Sequence, residues 1–174
     1  MAYDSPYGTG NRTASITVTA DINFHANPVL GGVNMFVNGN KTETQMWSAD
    51  VVANKYLRFL CSEAIIVDHL KWYQQNTSNH GVFKVQGSND GTNWTNIGSS
   101  FTLGGATAQE IDISANTIAY SYYQFLGVSG SMSSSPWNYE VEFSWTYPVS
   151  SGVVACIGVK DVDGIVMIGI ENIV

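Results

Sequence analysis

The chain has 174 residues, 44% of them hydrophobic and 12% charged, so it can bury a substantial core beneath a surface of Ser, Thr, Asn, Gln and Gly. Its formal net charge is -7, with 7 Lys plus Arg against 14 Asp plus Glu, which argues against binding to nucleic acid or another polyanion. A weakly charged polar surface suits neutral polar partners such as sugars.

Short runs of alternating apolar and polar residues recur along the chain between Gly, Asn, Ser and Pro, whereas helical periodicity with a cap and a stop is almost absent. Eight strands are predicted, at residues 15–20, 56–61, 65–73, 82–88, 94–97, 109–113, 122–128 and 139–145. This pattern predicts an all-β jelly-roll β-sandwich. Its long polar loops, where binding sites on rigid sandwiches usually lie, are residues 21–32, 38–50, 74–80 and 129–136.

The first residues, MAYDSPYGTGNRT, lack the apolar run of a secretory signal. We therefore expect no export by such a signal, and we assign residues 1–14 to an N-terminal arm. Cys61 and Cys156 lie in apolar, strand-like segments, which favours buried free thiols over a disulfide framework or a metal site.

Residues 81–97, GVFKVQGSNDGTNWTNI, show the strongest local pattern in the chain. Alternating apolar residues flank Asn89, Asp90 and Gly91, which predicts a β-hairpin with a tight turn.

The composition changes after Pro148, where residues 152–159, GVVACIGV, and residues 165–170, IVMIGI, are apolar on both alternating faces. A second, appended hairpin is predicted, too short in each half to span a bilayer, so no membrane insertion is expected. An exposed apolar hairpin would aggregate. We expect residues 148–174 to be buried against another subunit, as an oligomerisation or attachment segment. The alternative is that they complete the sandwich of a single chain.

Four segments together resemble the discoidin or coagulation factor type-C family. SNDGTNW, residues 88–94, is similar to that family's hairpin, and three further segments follow its order and spacing. They are VNGNKTETQMW at 37–47, KYLRFLCSEAIIVDHLKWY at 55–73 and AYSYYQFLGVSGSMSSSPWNYEVEF at 119–143. The resemblance covers residues 15–147 and implies the galactose-binding domain-like fold of many carbohydrate-binding modules. Trp47, Trp72 and Trp94 are then expected in the core.

Similar domains often hold a structural calcium ion near the loop that corresponds to residues 37–47. By position, the resemblance implies Asn38, Asn40, Thr42 and Glu140 as ligands. Calcium prefers several oxygen ligands including carboxylates, and Asn38 stands where the family has an Asp. The alternative is a plain turn at residues 38–39 with Glu140 on the surface.

In the carbohydrate-binding members, a sugar lies among loops at one end of the sandwich, between an aromatic ring and a few polar side chains. The resemblance implies as contacts Gln74, Asn76, Asn79, His80 and Trp137. Trp137 at the loop-strand junction could instead be a core residue. His25 and Asp50, in adjacent loops, are weaker candidates.

No arrangement of residues predicts catalysis, because His25, His69 and His80 lack metalloprotease spacing and no Ser lies in a nucleophile elbow. Glu140 and Glu142 lie on one strand, whereas glycosidase carboxylates normally come from separate elements. We therefore expect a non-catalytic carbohydrate-binding protein.

We expect this protein on a phage virion assembled in the host cytoplasm, on a tail fibre or the capsid surface. Its partners would be a cell-surface glycan, other virion proteins and copies of itself, as in a trimer. The alternatives are a structural or decoration virion protein of the same fold that binds no glycan, and a module separated from a glycosidase.

Overall fold

The computed structural model describes residues 8–26, 32–42 and 46–148, together with two strands near the C terminus. Within this part of the chain, one 3-10 helix spans Gly32–Val37. The strands are β1 Ile16–Ala20, β2 His25–Ala26, β3 Met46–Trp47, β4 Tyr56–Gln74, β5 Asn79–Ser88, β6 Thr95–Gly104, β7 Ala108–Asp112, β8 Tyr120–Ser129, β9 Asn138–Thr146, β10 Ile157–Lys160 and β11 Val166–Gly169.

Strand β4 runs through both layers of a sandwich. Its first part pairs with β1 and β8, and its second part pairs with β9 and β7. The register with β8 shifts between Leu60 and Ile65, and the exposed Ser62 and Glu63 mark the point where β4 leaves one sheet for the other. The strands predicted at residues 56–61 and 65–73 are therefore one bent strand.

The two sheets are entirely antiparallel. One has the order β1-β4-β8-β5-β6 and the other the order β2-β3-β9-β4-β7. Alternating apolar residues of each sheet point inward, as period-two patterning requires. The rings of Phe59 and Phe143 are 5.1 Å apart between centroids, and those of Phe59 and Phe125 are 6.0 Å apart. The all-β sandwich expected from the sequence is confirmed.

The structure places only one of three predicted core tryptophans in the core. Trp72 is fully buried, whereas Trp47 and Trp94 are half-buried. The Arg58 guanidinium lies 4.5 Å from the centroid of the Trp94 ring, on the surface of the sheet. The His25 ring stacks on Trp47 at a centroid distance of 4.1 Å. Stacking partners outside the core hold these two rings, so their core assignment was wrong.

The hairpin at residues 81–97 is present, but its turn is longer than predicted. The β5–β6 register ends at Gly87 and Thr95, and residues 89–94 form the loop between the two strands. Asp90 accepts hydrogen bonds from the backbone N–H groups of Thr92 (2.8 Å) and Asn93 (2.7 Å). These bonds stabilise the carboxylate and lower the pKa of Asp90.

Strand registers bring five segments to one end of the sandwich. Tyr56, where β4 begins, pairs with Leu126 near the end of β8, and Gln74, where β4 ends, pairs with Asn138 at the start of β9. We call this end, formed by residues 21–26, 46–55, 74–79, 104–107 and 129–137, the loop end. Strand β9 runs away from it, since its last residue Thr146 pairs with Ile66 beside the bend of β4.

The N-terminal segment departs from expectation, whereas the C-terminal strands pair as predicted. Residues 8–14, predicted as part of an arm, pack against the sandwich, with Gly8 and Arg12 buried. Strands β10 and β11 form the predicted terminal hairpin, pairing Ile157 with Gly169. Cys61 is a buried free thiol, as expected, while Cys156 lies outside the described residues. Among the described residues, no helix is long and apolar enough to cross a membrane.

Candidate functional site

Gln74 organises the turn between β4 and β5 from inside. Its side chain is 2% exposed, and its Nε2 donates to the carbonyl oxygens of Asn76 (2.7 Å) and Ser78 (2.8 Å). Its Oε1 accepts a hydrogen bond of 2.8 Å from Trp72 Nε1. A buried amide with these partners fixes the turn, because breaking any of the bonds would leave a polar atom without water or partner.

His80 holds the last loop in a similar way. It is fully buried, its Nδ1 accepts the backbone N–H of Ser133 at 3.2 Å, and its ring meets Trp72 edge-on. Burial lowers the pKa of His80 to about 4, and the side chain of Asn138 acts on it in the opposite direction. The imidazole is therefore neutral at physiological pH, as its acceptor role at Nδ1 requires.

Further hydrogen bonds tie the turn at residues 75–78 to the loop at 129–137. The N–H of Gln75 donates to the carbonyl oxygen of Trp137 at 2.9 Å, and Asn76 Nδ2 donates to Ser135 Oγ at 3.2 Å. The two predicted binding loops thus meet at the loop end.

The five residues predicted to contact a sugar lie at the loop end or directly next to it, at two depths. Gln74 and Asn79, predicted in a loop, are terminal residues of β4 and β5, and His80 follows within β5. Gln74 and His80 are buried and already bonded within the chain, whereas Asn76 and Trp137 are partly exposed and Asn79 is exposed. Contact with a sugar remains a prediction for this set, and Asn76, Asn79 and Trp137 are the members that solvent reaches.

A second group at the loop end contains both weaker candidates. His25 is exposed on the half-buried Trp47, with an angle of 18° between the two rings. Asp50 accepts the N–H of Asn23 at 2.9 Å and pairs with Lys55, and chiefly the Lys55 hydrogen bond lowers the pKa of Asp50. The surface position of Trp47 was missed because β2 and β3 have two residues each, too few to show alternation.

The residues proposed for calcium do not fit that ion. Asn38 Oδ1 accepts the N–H of Asn40 at 2.9 Å, and Asn40 Oδ1 accepts the N–H of Thr42 at 3.0 Å. Glu140 is fully buried, not a surface residue. Its Oε2 accepts the N–H of Gly39 at 3.0 Å and its Oε1 contacts a guanidinium nitrogen of Arg12.

Calcium requires six to eight oxygen ligands. Here the amide oxygens already accept backbone N–H groups, and a buried cation occupies the carboxylate of Glu140. Within residues 8–26, 32–42 and 46–148, no cluster of three or more His, Cys, Asp or Glu side chains is suited to a metal ion. Arg12 was missed because a single Arg in a predicted arm has no distinguishing pattern.

A groove of about 450 Å³ lies between the free edges of the two sheets. Its walls come from β6 and β7, and the residues lining it include Ser100, Phe101, Ile111 and Ile113. It is separate from the predicted loops and therefore provides an internal comparison for any binding experiment.

The chain was compared with known proteins by sequence and by structure. No protein-family model matches it, and no curated protein sequence does either. Solved structures do match. The module CBM32-1 from a family 31 glycoside hydrolase of Clostridium perfringens superposes with a TM-score of 0.59 at 13% identity, covering 80% of this chain and 99% of that chain.

Two further structures resemble the chain to a similar degree. The family 32 carbohydrate-binding module of NanJ from C. perfringens, solved in complex with galactose, has a TM-score of 0.56 at 11% identity, covering 78% and 97% of the two chains. The chitosan-binding module 1 of a chitosanase/glucanase from Paenibacillus sp. IK-5 has a TM-score of 0.53 at 20% identity, covering 75% and 93%. The chain therefore has the discoidin-like, galactose-binding domain-like jelly-roll fold that its sequence resembles.

Proposed function

We propose that this chain is a non-catalytic glycan-binding domain whose contact surface is the loop end. One observation carries the proposal: hydrogen bonds join the loop that holds the partly exposed Trp137 to the turn that holds Asn76, and the exposed Asn79 directly follows that turn at the start of β5. The apolar C–H face of a sugar ring packs on an indole, and neighbouring amides satisfy its hydroxyl groups. Loops held in advance by Gln74 and His80 reduce the entropy lost on binding.

The structural neighbours support this proposal by analogy of fold, which is a weaker argument than the site itself. One was solved with galactose and another is named for binding chitosan. The acidic residues of β9 argue against a glycosidase pair. Glu140 is bound by Arg12 and Glu142 by Lys41, so both carboxylates are buried and engaged.

A glycan array with the full chain tests the proposal. Wild-type protein should bind a subset of glycans, and Trp137→Ala should weaken binding by about 10-fold or more, because a stacked ring contributes about 1.5 kcal/mol or more. Trp94→Ala is the control. Trp94 is half-buried and lies just before β6, at the end of the hairpin opposite the loop end, so this variant should bind glycans as the wild type does.

Two results would contradict the proposal. One is wild-type protein that binds no glycan, and the other is equal binding by Trp137→Ala and the wild type. A third variant, Ser100→Trp, obstructs the groove between β6 and β7. Loss of binding in that variant alone would move the site to the groove.

We further propose a virion as the setting of this domain, with the terminal hairpin as its oligomerisation or attachment segment. The apolar strands β10 and β11 and the weakly charged surface support this setting. A decoration protein without glycan binding is the second candidate, favoured by one observation: Gln74 and His80 are buried and offer no polar atom to a ligand. Incorporation into particles by a chain that binds no glycan would support that candidate.

A further inference from the structure

Two buried carboxylates on β9 are each bound by a basic residue from early in the chain. Glu140 and Glu142 are two residues apart and project from the same side of the strand, since side chains alternate. Arg12 contacts Glu140, and Lys41 Nζ lies 2.7 Å from Glu142 Oε1. Tyr73 donates its hydroxyl hydrogen to Glu142 Oε2 at 2.7 Å. The carboxylates are 0% and 2% exposed, so they need these partners.

Arg12 joins three parts of the fold through its backbone as well as its side chain. Its N–H donates to the carbonyl oxygen of Val37, at the end of the 3-10 helix, at 2.8 Å. Its carbonyl oxygen accepts from the N–H groups of Ser15 and Ile16, at the entry to β1, both at 2.9 Å. Its guanidinium reaches β9 at Glu140. Burial lowers the pKa of Arg12 to about 10, so the side chain remains charged at neutral pH.

The loop at residues 38–42 packs tightly around the Arg12–Glu140 ion pair. Gly39, whose N–H donates to Glu140, lies against the backbone of Gly10, and a Cβ at Gly39 would lie 2.4 Å from the Gly10 carbonyl carbon. Arg12 Nε donates to the Gly10 carbonyl oxygen at 3.2 Å. Gly10 and Arg12 thus lie between residues 38–42 and β9.

We propose that Arg12 is the built-in structural cation of this sandwich, with Lys41 beside it, and that the fold needs no calcium. The two basic residues and the two carboxylates already sum to zero formal charge. A divalent ion added to this group would leave a net charge of +2 in a buried place, or would have to expel the guanidinium. The ion pair also ties residues 8–12 and 38–42 to β9. This inference is independent of whether the loop end binds a glycan.

Thermal unfolding and calorimetric titration of the full wild-type chain with calcium chloride test the proposal directly. The midpoint should be the same in calcium as in a chelator, and the titration should show no stoichiometric heat of binding. A lower midpoint in the chelator, or one calcium bound per chain, would overturn it.

Substitutions test the role of the ion pair itself. Arg12→Met leaves the Glu140 carboxylate buried without its cation. Removing one partner of a buried ion pair is strongly destabilising, so the unfolding midpoint should fall by about 10 °C. Arg12→Met with Glu140→Gln leaves no uncompensated charge and should recover part of that loss, even if the single variant fails to fold. Arg58→Met is the matched control, since Arg58 lies on the sheet surface between the rings of Tyr56 and Trp94. Equal effects of Arg12→Met and Arg58→Met, or no recovery in the double variant, would contradict the proposal.

Discussion

Polar side chains buried beneath the loop end hold its two main loops in place. Gln74 bonds to the turn that follows it, and His80 accepts the N–H of Ser133 from the last loop. Both residues were predicted as sugar contacts, but their burial was not predicted. The ring of His80, on β5, meets Trp72 of β4 edge-on, and local patterning does not report such contacts between strands.

Stability should depend on pH through His80. The folded pKa is about 4 and the ordinary value is 6.5, so between these values the unfolded chain binds a proton that the folded chain does not. The contribution of His80 is fully present above about pH 6.5 and is lost as pH falls towards 4. The whole loss is about 3 kcal/mol, at 1.36 kcal/mol per pKa unit.

Urea unfolding of wild type and His80→Gln at several pH values measures this effect. Gln retains an acceptor for Ser133 but does not titrate, so the difference in unfolding free energy between the two proteins isolates His80 from the carboxylates. Parallel profiles for the two proteins between pH 4 and pH 6.5 would exclude the assigned role.

At the scale of elements, long strands were predictable and short ones were not. Residues 82–88 alternate clearly and lie within β5, whereas β2 and β3 fall in segments expected to be loops. The bend in β4 was mistaken for a break, because exposed residues at a change of sheet resemble a turn in sequence. Trp94 was assigned to the core from the family resemblance, and its stacking partner Arg58 lies on a different strand, where no local pattern reveals it.

The segment before β4 is held by a close backbone approach to β8. The N–H of Gly127 donates to the carbonyl oxygen of Lys55 at 2.8 Å, and the N–H of Asn54 donates to the carbonyl oxygen of Gly127 at 2.9 Å. A Cβ at Gly127 would lie 2.0 Å from the Val52 carbonyl oxygen. There is no room for a methyl group without moving backbone.

Gly127→Ala should therefore reduce the unfolding free energy by about 1–3 kcal/mol, the usual cost of overpacking. Val128→Ala is the neighbouring control, because Val128 is exposed and its truncation leaves the contact intact. Chemical denaturation of both variants makes the comparison. If Gly127→Ala were as stable as Val128→Ala, residues 52–55 would be able to move away from the added methyl group without loss of unfolding free energy.

For the whole molecule, the fold was predictable because four short segments agreed in order and spacing. The boundary set at residue 15 does not separate an arm from the domain, since Arg12 is buried and pairs with Glu140 of β9. Ionic contacts between distant parts of the chain have no period, so composition and alternation cannot predict them.

Removal of the terminal hairpin tests the division of the chain. A protein truncated after Tyr147 should remain a folded, soluble monomer. Strand β9, the last strand of the sandwich, ends at Thr146, and no described core residue follows Trp145. The full chain should form an oligomer. Circular dichroism and light scattering coupled to size-exclusion chromatography distinguish these states. An unfolded truncation product would mean that β10 and β11 complete the core.

The direction of β9 determines how the domain would be displayed. This strand starts at the loop end and finishes at the opposite end, so the chain leaves the sandwich at the end opposite Trp137. If the chain were attached through its C-terminal segment, the loop end would face away from the point of attachment. In such an arrangement, the direction of β9 would keep the attached end of the chain away from the proposed contact surface.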